Sequence, residues 1–544
     1  MRYNSPVNRS KCRMDLTLHN LTSKAAGVMT PARVGTFKDW ISRLFWHLAV
    51  PLVFALIVIF FFPSRGRFEF STDEGINLMK SMLVNQGYPL YGEIWSDQPP
   101  LFTYLLSAAF SLFGMKVGVG RMLVLFLSCI LLWAAFQYMT LVWGRKQAIA
   151  GAFLLFLIPQ YMSLSVSVMV GLPSLAFAMV SLLCIVQWHE RRKPIYLLLS
   201  GVLLALSVLT KLITGFLAPI FIVGLLVSEY NRQRQTGLRH TVLYPAILWG
   251  SVFGILTLLL LVLFVGIDYL PQIIGTHLAA TQVKDLRELY FTINVHLRSA
   301  LPVLFLALVG AVISLRSRYW LALYPIAWAV IAYVLLYMHR PVWIHHQLLV
   351  TIPAAILGGV ALYDGASWAA QIIRPHIDKS TSSLIRLAAL LGLLILLFSF
   401  RVHEPFSLLS PRPSLTVSGF ELGPLVERFF VRMNKYAPET NWVVTDLPMY
   451  AFRARLPVPP NLAVFSVKRF ETGNLSEAEI VETIREYHPE QVLLGRYTYP
   501  TVEEFLKGRY YLIHSKGFMK LYIRNDLAGV DSVDPGFNRK GPDE

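Results

Sequence analysis

The chain has 544 residues, 55% of them hydrophobic and only 15% charged, and carries a formal net charge of +17. Soluble proteins carry about 25% charged residues, so the composition excludes an ordinary soluble enzyme and reads as a polytopic α-helical membrane protein. The basic excess lies largely in short segments between apolar runs, which points to membrane topology and anionic-lipid contact and not to nucleic acid.

Residues 1–44 are polar and basic, lack a secretory cleavage signal, and are expected to stay cytoplasmic ahead of a first span at 44–62. The outer loop 64–118 that follows is acidic at its start, where Asp73 and Glu74 stand just beyond the end of that span. Ile76, Met79 and Leu83 share a helical face, Gly87-Tyr88-Pro89 breaks it, and Gln98-Pro99-Pro100 opens a second apolar helix. Two short helices on the membrane surface fit this pattern. Further spans are expected at 120–142, 147–162, 168–187, 195–210, 212–228, 241–266, 299–315, 319–337, 347–363 and 387–400. That makes roughly eleven, separated by basic stops such as Arg145-Lys146. With the N-terminus inside, the acidic loop, Lys211, the 267–297 loop and His345-His346 fall together on the outer side. Cys12, Cys129 and Cys184 have no metal-ligand spacing and define no disulfide framework.

The composition changes near 401. WVVTD (442–446) and QVLLG (491–495) read as strands, and Ser476/Glu479 and Thr501/Glu504 as capping boxes. YYLIHS and MKLYIR, split by Lys516-Gly517, read as a hairpin. The expected organisation is a basic cytoplasmic tail (1–44), a transmembrane domain (45–400), a small extracytoplasmic α/β domain (401–525) and a disordered tail (526–544).

A carboxylate at a membrane surface can act as a general base; the competing role for Asp73 and Glu74 is charge complementation in a helix first turn capped by Ser71 or Thr72. A phosphate leaving on a lipid needs cationic or donor partners. Candidates on the outer side are Lys211, Arg340, His345, His346, Lys284 and Arg287. Their plainer readings are snorkelling for Lys211, interfacial placement for the histidines and a solvated helix face for Lys284 and Arg287. Glu93 and Asp97 could join Asp73 around a divalent cation, Mg or Mn, because hard cations take oxygen ligands; surface solubility is the plainer role for both.

Asp73-Glu74-Gly75, Gly87-Tyr88-Pro89-Leu90-Tyr91, Gln98-Pro99-Pro100-Leu101 and Leu112-Phe113-Gly114 together resemble the first outer loop of GT-C glycosyltransferases. The likeness is to bacterial relatives of dolichyl-phosphate-mannose protein mannosyltransferases and of the aminoarabinose lipid A transferase. Leu209-Thr210-Lys211, and His345-His346 followed by Pro353, resemble two further segments of that group, so the likeness spans most of 45–365. It implies a GT-C-like membrane enzyme that takes a polyprenyl-phosphate-linked sugar and acts on the extracytoplasmic face of the cell membrane, on a lipid, glycan or protein acceptor. By the same likeness Asp73 occupies the catalytic acidic position and Glu74 its neighbour, with Lys211, His345, His346, Arg340 and Gln98 as donor-phosphate candidates. The chain departs from the aminoarabinose transferase at Gln98 and Ile76, where that enzyme carries a lysine and an arginine that help hold the lipid phosphate. It also has Ser174 where many relatives have aspartate. A transporter or flippase and an inactive binding scaffold are the alternatives; mid-span positions almost free of charge argue against transport.

Overall fold

The computed structural model describes residues 37–61, 67–237, 242–283, 293–339, 341–367 and 423–528. The expected span at 387–400, Arg340, Lys284, Arg287 and most of both tails lie outside the described residues.

The membrane part is built from α1 (Phe37–Phe61), α4 (Val117–Val142), α5 (Arg145–Leu157), α6 (Gly171–Arg191), α7 (Pro194–Thr210), α8 (Leu217–Thr236), α9 (Tyr244–Phe264), α11 (Leu301–Arg316), α12 (Leu323–Met338) and α13 (Leu348–Val360). Two helices of the acidic loop, α2 (Thr72–Asn85) and α3 (Leu101–Phe113), and shorter helices, among them α10 (Leu270–Ala280), join these. Seven described helices are long and apolar enough to cross a membrane, and three more are shorter apolar helices. Exposed Ile255, Leu258, Leu259 and Leu263 on α9 would be untenable in water but suit lipid contact. The expected single span at 147–162 is broken: α5 stops at Leu157 and a separate turn starts at Pro159. Proline lacks the N–H to continue the ladder and disfavours helical backbone in the residue before it.

Every residue of α13 is buried, against α5, α11 and α12. It gets that close because its neighbours meet it with glycine. A Cβ on Gly359 would lie 2.5 Å from the Gly151 backbone nitrogen of α5. Without a hydrophobic force between spans, such close backbone approach is what dispersion packing in lipid requires.

The C-terminal part is a four-stranded sheet in the order β1-β2-β4-β3 (β1 Val443–Thr445, β2 Gln491–Leu494, β3 Tyr510–Lys516, β4 Met519–Arg524), parallel between β1 and β2 and antiparallel elsewhere. Its helices are α14 (Gly423–Lys435), α15 (Pro448–Ala454), α16 (Val467–Glu471), α17 (Glu477–Tyr487) and α18 (Pro500–Leu506). Ser476 and Glu479 form the reciprocal capping box, with the Ser476 N–H donating to Glu479 Oε2 at 2.7 Å and the Glu479 N–H to Ser476 Oγ at 3.2 Å. No such box forms at Thr501. Proline starts α18 one residue earlier, and the Glu477 carboxylate accepts the N–H groups of Thr501 and Val502 at 2.7 and 3.2 Å.

α2 does not lie open on the membrane surface. Glu74 to Leu83 are all buried, because α15 of the C-terminal part packs over the helix. Leu78, Met82, Phe110, Met433, Tyr450 and Phe452 belong to one apolar cluster, so the outer loop and the C-terminal part share a core. Gly75 makes this docking feasible: a Cβ there would lie 2.6 Å from the Met449 backbone nitrogen. Gly75→Ala should therefore cost roughly 1–3 kcal/mol by overpacking, read as a lower melting temperature of detergent-purified protein and faster proteolytic release of the C-terminal part. Gly250→Ala, where an added Cβ meets nothing within 4 Å, should leave both unchanged.

Candidate active site

Ser71 caps α2, its Oγ accepting the Asp73 N–H at 3.4 Å, and the two acids in the first turn complement the helix dipole. Successive side chains on a helix point about 100° apart, so Asp73 and Glu74 serve different surroundings. Glu74 turns inward to Arg121 of α4. Arg121 Nε donates to Oε1 and Nη2 to Oε2, both at 2.9 Å, while the N–H groups of Phe70 and Val168 add donors at 3.0 and 3.2 Å. Four donors occupy this fully buried carboxylate, and it takes no part in the cavity wall. The catalytic role expected for Glu74 is thus corrected to that of an anchor for the start of α2.

Asp73 instead faces a cavity of about 390 Å³. Asp73, Asn77 and Lys80, spaced i, i+4 and i+7 on one face of α2, form one wall. The loop before α3 contributes Asp97 and Gln98, the end of α7 Lys211, α10 His277, and the segment before α13 His339, Trp343, His345 and His346. The C-terminal part closes the cavity with Ser466, Lys468 and Arg496. Glu93 is exposed and stands outside this wall. Asp97, for which a surface role was the plainer reading, is buried there and pairs with Lys468 Nζ at 2.6 Å.

Each charged group is held by identifiable contacts. Lys80 is buried, its Nζ 3.3 Å from Ser96 Oγ. Burial pushes it down to about 8, with Asp97 and Asp73 countering. Lys211 ends α7, and Thr214 Oγ1 donates to its carbonyl at 2.9 Å while accepting from Ser207 Oγ at 2.8 Å. Burial pushes Lys211 down to about 8 as well, with Asp73 opposing and Lys468 adding to the shift. Burial raises Asp73 above its ordinary range, and Asp97 adds to this, against the pull of Arg496, Lys211 and Lys80. Asp97 goes the other way: burial alone would raise it, but Lys468 and His277 hold it well below the carboxylate range. Arg496 Nη2 donates to Thr72 Oγ1 at 3.0 Å, bridging the sheet domain to the first turn of α2. Its backbone is fixed by Asp446 at the end of β1, which accepts from the N–H groups of Gly495 and Arg496 and from the Tyr499 hydroxyl. His346 Nδ1 accepts the Trp343 N–H at 3.2 Å, which leaves the ring proton on Nε2.

Among the described residues Asp73 and Asp97 are the carboxylates of the cavity wall. Asp97 is committed to Lys468, four cationic side chains (Lys80, Lys211, Lys468 and Arg496) line the same space, and no described group of three His, Cys, Asp or Glu is arranged to hold a metal. This donor set does not suit the divalent cation entertained from sequence. The residues that sequence reasoning missed are Lys80, His277, His339, Lys468 and Arg496. Lys80 was legible from its spacing to Asp73; the others come from elements whose docking leaves no local pattern.

Residues 97–255 match the family described as dolichyl-phosphate-mannose-protein mannosyltransferase. The structure is similar to that of ArnT from Cupriavidus metallidurans bound to undecaprenyl phosphate, at 13% identity and a TM-score of 0.56, over 90% of this chain and 98% of that one. It is also similar to the archaeal oligosaccharyltransferase AglB from Archaeoglobus fulgidus, in complex with an inhibitory peptide and a dolichol-phosphate, at 12% identity and a TM-score of 0.52, over 91% and 75% of the two chains. No curated protein sequence matches the chain. The chain is a multi-pass membrane protein with the GT-C fold of these glycosyltransferases, as the motifs of its acidic loop implied.

Removing one partner of the Glu74–Arg121 pair leaves a buried charge uncompensated, at a cost of roughly 3–5 kcal/mol. Arg121→Ala should sharply lower the melting temperature of the purified protein, and Glu74→Gln combined with Arg121→Met should recover part of the loss.

Proposed function

We propose that this chain is a membrane glycosyltransferase that moves a sugar from a polyprenyl-phosphate donor to an acceptor hydroxyl on the extracytoplasmic side, with Asp73 as general base. One observation carries the reading: a single uncommitted carboxylate faces a cavity whose walls also hold Lys80, Lys211 and Arg496. The undecaprenyl phosphate and dolichol-phosphate in the two structural neighbours, and the mannosyltransferase family matched over 97–255, support a lipid-phosphate donor.

In this reading Asp73 takes the proton of the acceptor hydroxyl as that oxygen attacks the anomeric carbon. The bond from that carbon to the phosphate oxygen breaks, and its electron pair leaves with the phosphate. Lys211, Lys80 and Arg496 neutralise the departing anion, with the Nε2–H of His346, the neighbouring His345 and Gln98 as further candidate contacts. Lys80 lies one turn beyond Ile76 on the same face of α2, and Arg496 comes from the C-terminal part. Between them they supply the positive charge that the chain lacks at Ile76 and Gln98. Asp97 holds Lys468 in place and leaves Asp73 free to act.

The same reading places the N-terminus in the cytoplasm and residues 423–528 outside it. In a cysteine-free background, Glu482→Cys on exposed α17 should react with an impermeant maleimide on intact cells; labelling only after lysis would invert this orientation.

The mechanism predicts that Asp73→Asn lowers turnover of a polyprenyl-phosphate sugar roughly 10²–10⁴-fold while donor binding persists; unchanged turnover would overturn it. Lys80→Ala and Lys211→Ala should weaken donor binding. A general base works when ionised, so activity should rise with pH through a limb set by Asp73, above the ordinary carboxylate range. Lys80 and Lys211 bind phosphate when protonated, so kcat/KM should fall again above about 8. Lys211→Arg should move that alkaline limb upward.

A further inference from the structure

A second cavity, of about 500 Å³, opens where the outer ends of α1 and α4 meet α14 and α15. Its two halves differ in chemistry. On the span side it is walled by apolar residues such as Ile59 and Met122, and Met122 is 53% exposed on a helix that crosses the bilayer, so the opening faces lipid. Its charged part is lined by Lys116 and Arg121 from the start of α4 and by Arg453 and Arg455 from the end of α15, and by no carboxylate among the described residues. Arg121 and Arg453 are fixed in place: Arg121 Nη1 and Arg453 Nη2 each donate to the Arg67 carbonyl at 3.0 Å, and Arg453 Nη2 reaches the Phe68 carbonyl at 2.6 Å. Lys116 and Arg455 are exposed and have no ion-pair partner among the described residues.

We propose that this cavity binds an anionic bilayer phospholipid, its phosphate among Lys116, Arg453 and Arg455 and its acyl chains along α1 and α4. Glu74 already compensates Arg121, but Lys116, Arg453 and Arg455 around one space repel one another, and a phosphate at headgroup depth relieves that repulsion. A zwitterionic lipid offsets the charge less well, and a free phosphate leaves the apolar half unfilled. The site is separate from the cavity of Asp73 but touches the same scaffold, since Arg121 lines it and also holds Glu74.

The test is native mass spectrometry of the full-length protein in mild detergent, titrated with phosphatidylglycerol, phosphatidylcholine or undecaprenyl phosphate, with inorganic phosphate as competitor. The wild type should bind phosphatidylglycerol in preference to phosphatidylcholine, and millimolar phosphate should not displace it. Lys116→Gln combined with Arg455→Gln should weaken that binding about 30-fold, at about fivefold per charge, with an unchanged melting temperature because both side chains are exposed. Lys116→Arg with Arg455→Lys should restore it. Undecaprenyl phosphate should bind the Gln variant as well as it binds the wild type. Equal phosphatidylglycerol binding by wild type and Gln variant, equal binding of phosphatidylcholine, or displacement by inorganic phosphate would overturn the proposal. So would a parallel loss of undecaprenyl phosphate, which would make this a carrier-lipid site. None of these readouts requires sugar transfer, so the outcome is independent of the fate of the catalytic reading.

Discussion

The start of α2 and the parts packed on it depend on one buried ion pair. Glu74 and Arg121 join the first turn of α2 to the start of a long span, and the carboxylate also collects the N–H groups of Phe70 and Val168. A buried carboxylate is costly unless its lone pairs are filled, and here they are. The result is a helix start that cannot rotate, with Asp73 one residue earlier held toward the cavity. An acidic dipeptide at a helix start thus divides its labour: one acid is spent on position so that the other can face the cavity with its oxygens available.

The cavity is a joint product of two parts of the chain. The spans and outer loops supply Asp73, Lys80, Asp97, Lys211 and the histidines; the sheet domain supplies Lys468 and Arg496. Asp446 and Tyr499 hold the turn that carries Arg496, so a residue at the end of β1 governs a cation over α2. Two lysines in low dielectric sit close to losing their protons near neutral pH, whereas the charge on a guanidinium is far harder to remove. Beside Lys468, which is paired with Asp97, the cavity therefore carries one permanent cation and two that respond to pH and to an arriving anion.

Much of this was legible in the sequence, and for physical reasons. Charge-free runs of span length have few fates other than lipid. The continuous apolar runs in WVVTD and QVLLG and the Ser476/Glu479 spacing are local signals that survive into the fold. What failed were cases where one local rule overrode another or where the partner was remote. Pro159 broke a span that hydropathy drew as continuous, and Pro500 moved a helix start so that Thr501 lost its box to Glu477. Glu74 read as a catalytic neighbour because nothing local announces that Arg121, on another helix, will claim it. Lys468 and Arg496 gave no signal because their meaning comes only from docking. The acidic loop was half legible: its helix, break and second helix stand as read, but the cover over α2 was supplied by residues more than 300 positions later.

The bond from Arg496 to Thr72 spans 424 positions of sequence. A ribosome-bound chain that has delivered all its described spans already exposes Asp73, but it still lacks the guanidinium and the ammonium that residues 423–528 bring. The cavity therefore acquires its full charge only once the sheet that follows the described spans has been made and has settled onto α2. Quality control is in effect written into the chain's order, since a truncated copy inserted in the membrane retains the carboxylate but not the complete set of cations around it.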